Sequence, residues 1–419
     1  MTLNRDTLQR LASGLPQWRV DRMSSAFETF ESLTEPTGAE EDWRYVDFDL
    51  KFDELGLPDE RGDEMPPGPF RRAVTRHAGE LTIVDGIPGD IDGVEGLEVT
   101  RLGESPLDDW PGRVRDDHNK VVAAAAAFGG DGLLVRVPSG KVIEDALVID
   151  VQAVTDLSAS FPTIRVEVGE NAEANVLVMY RSPPGSRLLL APTVELDIAP
   201  AGRLRFLSIQ DVAQSAYCVV HQRARVGNDA TARMGEVGLG GEVGRLDLGV
   251  DLAGNGATVE VVGLFFGEGT QTLDYRMLIN HIGRNTTSDV FLKGAVEDDA
   301  ESVFTGLLRI EKGAVRSSAF ETNRNLVLSE NAKAHSVPNL EILCDDVVCG
   351  HGSSVGPLDE DLLYYLMSRG LRRPRAERLL VKGFFREVID RLPIKGVAEP
   401  VSTEVFTRFI SAQEEGRIS

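Results

Sequence analysis

The chain has 419 residues, with 44 Lys and Arg against 67 Asp and Glu, a formal net charge of −23. Such acidity excludes a general nucleic-acid binder, which needs clustered cations for phosphate, and a protein held electrostatically on an anionic membrane. Hydrophobic residues at 42% and charged residues at 26% are ordinary globular values and exclude wholesale disorder.

The length implies two or three domains, or one elongated repeat domain with flanking parts. Cys218, Cys344 and Cys349 are too few and odd in number for a disulfide framework, so a reduced, cytoplasmic chain is expected. Met1 to Ser13 has no apolar core of signal-peptide length. The densest apolar run, Val121 to Phe128, is far shorter than the roughly 20 residues of a membrane helix.

Residues 1–145 read as a helical and mixed N-terminal region. Met23, Ala26, Phe27, Phe30 and Leu33 recur at helical spacing. The window Glu35 to Glu64 follows, with a local charge of −9 and the aromatic residues Trp43, Tyr45, Phe48 and Phe52. Its acids fit a solvated face. Met65-Pro66-Pro67-Gly68-Pro69 then punctuates the chain.

From 146 to 356 the texture is that of strands. Turn signals centre on Asn171, Gly202, Asp229, Gly256, Asn285, Asp299, Gly313, Asn331 and Asp346. The first intervals are close to twice the later ones, an imperfect period that signals a repeat architecture. Ala172, Ala230, Ala257, Ala300, Ala314 and Ala332 each follow a turn marker directly. Beyond them the residues alternate, as in Ala172, Ala174, Val176, Val178 and in Ala300, Ser302, Phe304, Gly306, Leu308, Ile310. Small residues after each turn can stack where the backbone turns a corner. The expected fold is mainly β, a parallel β-helix (solenoid) core with helical regions before and after it. A β-sandwich also shows short strands at regular spacing.

Residues 357–419 read as a C-terminal helical domain. Asp359 is a candidate N-cap and Gly370 a C-terminal stop; Pro374 suits the first turn of the next helix and Pro393 its end. Leu380, Phe384 and Val388, widened by Leu379, Ile389 and Leu392, form the expected apolar stripe. The window Leu371 to Lys395 has a local charge of +5. Arg373, Arg378 and Phe384 in it are the candidate partner surface. The same charges also fit a basic helix that merely balances the acidic first region.

Enzyme signatures are scarce. The chain has no G-x-x-x-x-G-K-[ST], no H-E-x-x-H and no G-x-S-x-G. Gly238 to Gly244 misses the dinucleotide spacing and reads as a turn. The histidines at 77, 118, 221, 281, 335 and 351 are scattered. One local constellation remains, Cys344-Asp345-Asp346-Val347-Val348-Cys349-Gly350-His351-Gly352. Thiolate and imidazole suit iron, zinc or cluster chemistry, and on a strand Cys349 and His351 share a face. By itself C-x-H is half a metal site, and it equally fits a buried Cys and a hydrogen-bonded turn His. A site completed by another chain is the sharper reading.

The stretches Pro338-Asn339-Leu340-Glu341-Ile342 and Asp345 to Gly356 resemble the SufB/SufD family of iron–sulfur cluster assembly scaffolds. So do Leu363 to Leu371, Gly383-Phe384, Glu387-Val388-Ile389, Gly240-Gly241 with Arg245 and Asp247, and Asn323-Arg324-Asn325-Leu326. Trp43-Arg44-Tyr45 is similar to the start of SufD chains. The resemblance implies a non-catalytic scaffold, not an enzyme. It would pair with SufB through the β-helix end and bind the ATPase SufC through its C-terminal helices, which accounts for the missing P-loop. It implies a transient iron–sulfur cluster shared with SufB, with His351 as the carried-over cluster residue and Cys349 as its neighbouring family cysteine. Ala332 stands where SufB-type chains have a cysteine, and alanine can neither ligate iron nor carry persulfide sulfur, which favours a SufD-like chain. Glu321, where the family commonly has Gln, is a departure; His335 and Ser336 are SufB-like. The competing readings are a SufB-like, homodimer-forming paralogue and a β-helical carbohydrate-active enzyme.

Overall fold

The computed structural model describes residues 2–92, 94, 96–104 and 119–414. His118 lies outside the described residues. Two sheets face each other and share a core. The ten-stranded sheet starts with Ile87–Pro88 and His77–Val84, continues through Ala146–Gln152 and Glu173–Arg181, and ends on Ser318–Val327 and Val348–Gly356. The eleven-stranded sheet starts with Glu98–Arg101 and Gly132–Val137 and ends on Glu301–Ile310 and Lys333–Ile342. Successive long strands alternate between the sheets and pair in parallel, so each coil adds one strand to each sheet. Thr258, Thr287, Ser318 and Val348 form one continuous row across four strands. The expected β-solenoid is the fold. Two of its strands, His77–Val84 and Gly132–Val137, lie upstream of residue 146.

Turn chemistry fixes the corners. Asn171, Asp229 and Asn285 hold left-handed φ values of 53°, 52° and 55°. Asn and Asp tolerate that region because their short polar side chains bond locally. Asn228 Oδ1 accepts the N–H of Asn255 at 2.8 Å, and Asn255 Oδ1 that of Arg284 at 3.0 Å, which ties coil to coil. At Gly202 the left-handed residue is the preceding Ala201. Glycine follows because a Cβ there would press on the Ala199 carbonyl. The small residues after the turns are buried. Ala172, Ala230, Ala257 and Ala314 line one corner of the interior; Ala300 and Ala332 pack together at the other.

Three apolar layers hold the molecule. Inward residues of both sheets, such as Leu133, Val176, Val261, Phe265, Phe304 and Leu308, form the solenoid interior. The outer face of the ten-stranded sheet is covered by three helices: α3 (Pro69–Ala73), α6 (Arg373–Ile389) and α7 (Ala398–Glu414). That of the eleven-stranded sheet is covered by α1 (Arg5–Ala12), α2 (Gln17–Ser32), α4 (Lys120–Phe128) and the aromatic segment around Trp43, Phe48 and Phe52. Strands between two apolar layers lose their alternation, as in Val261-Val262-Gly263-Leu264-Phe265-Phe266. Each fully buried side chain of this size contributes about 1.5–3 kcal/mol.

The segment Glu35 to Glu64 is more than a solvated acidic face. Arg245 pairs with Asp274 at 2.6 Å, stacks over Trp43 at 4.1 Å and donates to the Asp42 carbonyl. Arg276 donates to the Glu41 carbonyl. These contacts bolt the N-terminal region to the solenoid wall.

At the C-terminal side α5 (Glu360–Ser368) is capped by Asp359, whose carboxylate accepts the N–H groups of Asp361 and Leu362. Gly370, φ 91°, follows it. In α6 the buried stripe is Ala376, Val381, Phe385, Val388 and Ile389; it keeps Val388 and Ile389 of the expected one, with Phe384 and Leu392 packed beside it, while Leu379 is exposed. Both stripes are apolar in sequence, and the choice falls to Phe385, which packs edge-on against Phe266 of the sheet.

Candidate functional site

The two ends of the solenoid differ. At the first end, short antiparallel strands, Ile87–Pro88 and Glu98–Arg101, cap the parallel stacks. At the last end Lys333–Ile342 and Val348–Gly356 are edge strands, with no further strand paired to them among the described residues. Val337, Leu340, Val348 and Val355 are exposed there. An uncovered parallel edge with apolar side chains is a template for another chain.

His351 and Cys349 stand on this last strand. Cys349 lies opposite Ala319 and is half-buried against the interior core, as is Cys344. His351 lies opposite Glu321, on the same inward face as Cys349, and is exposed because the interior is open at this end. The alternation that places them carries on along Ser318–Val327, where Ala319, Glu321, Asn323 and Asn325 all point inward and are buried.

The last coils are therefore polar inside. Asn323 Oδ1 accepts from Asn325 Nδ2 at 2.6 Å and from Ser336 Oγ at 2.9 Å. Ser353 Oγ donates to Ser336 Oγ at 2.7 Å. Glu321 is only 2% exposed, and neither carboxylate oxygen has a hydrogen-bond partner. Burial pushes its carboxyl up to about 7. His335 faces the other way: its Nε2 lies 2.8 Å from Glu301 Oε1, and its ring stacks on Tyr45 at 4.1 Å.

Among the described residues no group of three or more His, Cys, Asp and Glu side chains is placed to hold a metal. Cys349 and His351 belong to no such group. The other described histidines are bound up elsewhere. His281 is held by Thr286 Oγ1 and Ser288 Oγ and pushed down to about 4 by burial; His221 is pushed down to about 3 by the same cause. His77 sits 2.9 Å from Arg71. Cys218 is fully buried, and burial pushes its thiol well up, so it is no nucleophile.

The C-terminal candidates are arranged differently from the expectation that grouped them. Arg373 is held within the helical domain, 3.1 Å from Glu360 and 2.9 Å from Glu377. Arg378 is half-buried. Phe384 turns toward the solenoid, with Lys293 Nζ 4.6 Å over its ring and bonded to its carbonyl. Apolar side chains also face outward, Leu362, Tyr364, Tyr365, Met367 and Leu379, with Tyr364 75% exposed, beside the exposed Arg372, Arg375, Lys382 and Arg386. The signal was present in the sequence, because Leu362 to Met367 are six consecutive apolar residues, more than one face of a helix can bury. Glu321 was legible too, as a charge at an inward position of an alternating strand.

Comparison with known proteins agrees with this architecture. Residues 150–384 match the family described as SUF system FeS cluster assembly, SufBD core domain. An iron-sulfur cluster assembly SufBD family protein of Mycobacterium tuberculosis is 31% identical over 371 residues, 86% of this chain and 91% of that one. One of Mycobacterium leprae is 33% identical over 395 residues, 92% of this chain and 93% of that one. The iron-sulfur cluster assembly protein SufD of Bacillus subtilis is 29% identical over 292 residues, 68% of this chain and 65% of that one. With its solenoid intact and the match spanning more than half its length, the chain belongs to the SufBD family of the SUF iron–sulfur cluster assembly system.

Proposed function

We propose that this chain is a SufD-like, non-catalytic scaffold subunit of cytoplasmic iron–sulfur cluster assembly. The observation that carries the reading is the open end of the solenoid: two parallel edges with no further strand paired to them among the described residues, exposed apolar side chains, and His351 facing the interior at that end. A SufB chain with a matching open end pairs there. The nascent cluster, the cargo of the assembly, forms at the join, with His351 and then Cys349 as this chain's contributions. Ala332 leaves the sulfur-carrying role to the partner.

The SufC ATPase docks on the C-terminal helices. The exposed apolar face of α5 around Tyr364 is better suited to that role than Arg373, which already has carboxylate partners. Arg378 stays a candidate at the rim, and Phe384 supports the helix from beneath. Among the described residues no helix is long and apolar enough to cross a membrane.

The test is the mass of the complex purified after co-expression with SufB and SufC chains. One copy each of this chain and SufB with SufC is expected. A stable homodimer that ignores SufB establishes the SufB-like alternative. His351→Ala should then lower cluster yield on the complex without changing its mass; an unchanged yield removes His351 from the site.

A further inference from the structure

A cleft of about 990 Å³ opens on the outer face of the ten-stranded sheet, several strands in from the open end. Asn175, Arg205 and Arg233 lie in one row across its floor, on three adjoining strands. Leu392, Ile394 and Lys395 of the connection between α6 and α7 line its sides, as do Val142 and Ile143. Pro393 seats that connection on the sheet at Gly235, where a Cβ would meet the proline ring at 2.7 Å. Val142 is 57% exposed, an apolar side chain left uncovered beside a charged floor.

The carboxylates around this cleft are mostly taken. Asp145 pairs with Arg76 at 3.1 Å, Glu173 with Arg203 at 2.5 Å and Asp390 with Arg386 at 3.3 Å. Glu260 is shared by Arg233 at 3.2 Å and Arg391 at 3.0 Å. Glu144, the remaining one, is exposed. Arg205 is half-buried and reaches Asn175 Oδ1 at 3.4 Å, a long contact to a neutral amide. Asn175 is itself fixed, because its amide donates to the Ile143 and Glu144 carbonyls. Arg205 also stands directly opposite Arg233 on the adjoining strand, and like charges in that relation repel. In a chain of net charge −23, a pair of adjacent guanidinium groups on the floor of a cleft is a feature to be explained.

We propose that this cleft binds a small organic phosphate. The phosphate sits over Arg205 and Arg233, with Lys395 as the outer cation, and the apolar body of the ligand lies against Val142, Ile143 and Leu392. Guanidinium groups match phosphate oxygens through paired N–H donors. An anion over the two arginines turns a repulsive pair into a site. Apolar sides with a few placed cations, and a volume near the top of the roughly 300–1,000 Å³ usual for small-molecule pockets, suit an organic ligand better than a bare ion. The open end contributes no residue to this site, so it stands apart from the scaffold reading.

The test is calorimetric titration of phenyl phosphate into the purified full chain at low ionic strength, with inorganic phosphate as the second probe. Saturable binding is expected, severalfold tighter for phenyl phosphate than for inorganic phosphate. Arg205→Gln should weaken it by roughly tenfold or more, because a charge-assisted hydrogen bond is lost. Lys395→Met should weaken it severalfold, and Val142→Ser should remove the preference for phenyl phosphate. Arg225→Gln, at an exposed arginine of the other sheet, should change nothing. Melting temperatures are read in parallel, and Lys395→Met, at an exposed side chain, carries the test should Arg205→Gln not fold. A wild-type chain without saturable binding overturns the site, as does binding that survives both Arg205→Gln and Lys395→Met. An equal loss in Arg225→Gln overturns its location. Phenyl phosphate held no tighter than inorganic phosphate overturns the organic ligand.

Discussion

The first and last coils of the solenoid are built from the same parallel stack and finished in opposite ways. At the first end, short antiparallel strands close the edges, and Leu133, Val135 and Ile164 fill the interior with apolar volume. At the last end no further strand pairs with the edges among the described residues, and Glu321, Asn323, Asn325, Ser336 and Ser353 replace that volume with polar groups. A solenoid needs a cap only where it meets water. Among the described residues the last coil has no cap and a polar interior, and the proposed pairing with another chain rests on these two features.

Substitutions that treat both ends alike test the contrast. Leu133→Ala, at the closed end, should cost about 2–5 kcal/mol in denaturant unfolding, because it leaves a cavity in a fully buried layer. Leu340→Ala, at the open end, should stay within about 1 kcal/mol and act on partner pairing instead. Equal costs at both ends would erase the distinction.

The next effect belongs to the satisfied part of the interior, where Ser208 and Gln222 donate to the Glu236 carboxyl. Burial lifts the Glu236 carboxyl to about 8, while the unfolded chain releases that proton near the ordinary 4.5. The folded state then binds more protons than the unfolded state between those values, so stability falls as pH rises from about 4.5 to about 8. Glu236→Gln should remove that slope and gain on the order of 3 kcal/mol at pH 8 and above, with no gain near pH 4. A gain independent of pH would mean that the carboxyl is ordinary. Smaller still are the surface effects. Tyr364→Ala should weaken SufC binding severalfold, whereas Arg373→Ala should change stability by less than about 1 kcal/mol, as exposed ion pairs do. A larger loss of SufC from Arg373→Ala than from Tyr364→Ala would return that surface to the basic residues.

The repeat was readable because its corners demand particular residues. A left-handed turn calls for Asn, Asp or Gly, and the stacked corner behind it calls for Ala. Strands with one face on the core alternate visibly, as Ala300 to Ile310 do. Strands His77–Val84 and Gly132–Val137 lie upstream of the first regular turn, and a long stretch containing α4 separates the first of them from the second, so the period does not reach them. The stripe of α6 was read in part: Val388 and Ile389 are buried and Phe384 and Leu392 pack beside them, but two overlapping apolar rows exist, and Ala376, Val381 and Phe385 complete the buried one while Leu379 is exposed. C-x-H at 349 to 351 was legible as half a site, yet nothing local in sequence shows that Glu321, thirty residues upstream, is its neighbour. That adjacency comes from the coil length alone.

The most direct test of the open end is the mass of the complex formed with SufB and SufC by the double variant Leu340→Lys and Val355→Lys. Both side chains are exposed, so the variant should fold with an unchanged melting temperature while SufB is lost and SufC, for which α5 is the proposed surface, is retained. A complex of unchanged mass would contradict the account, because the SufB contact would then lie elsewhere on the molecule.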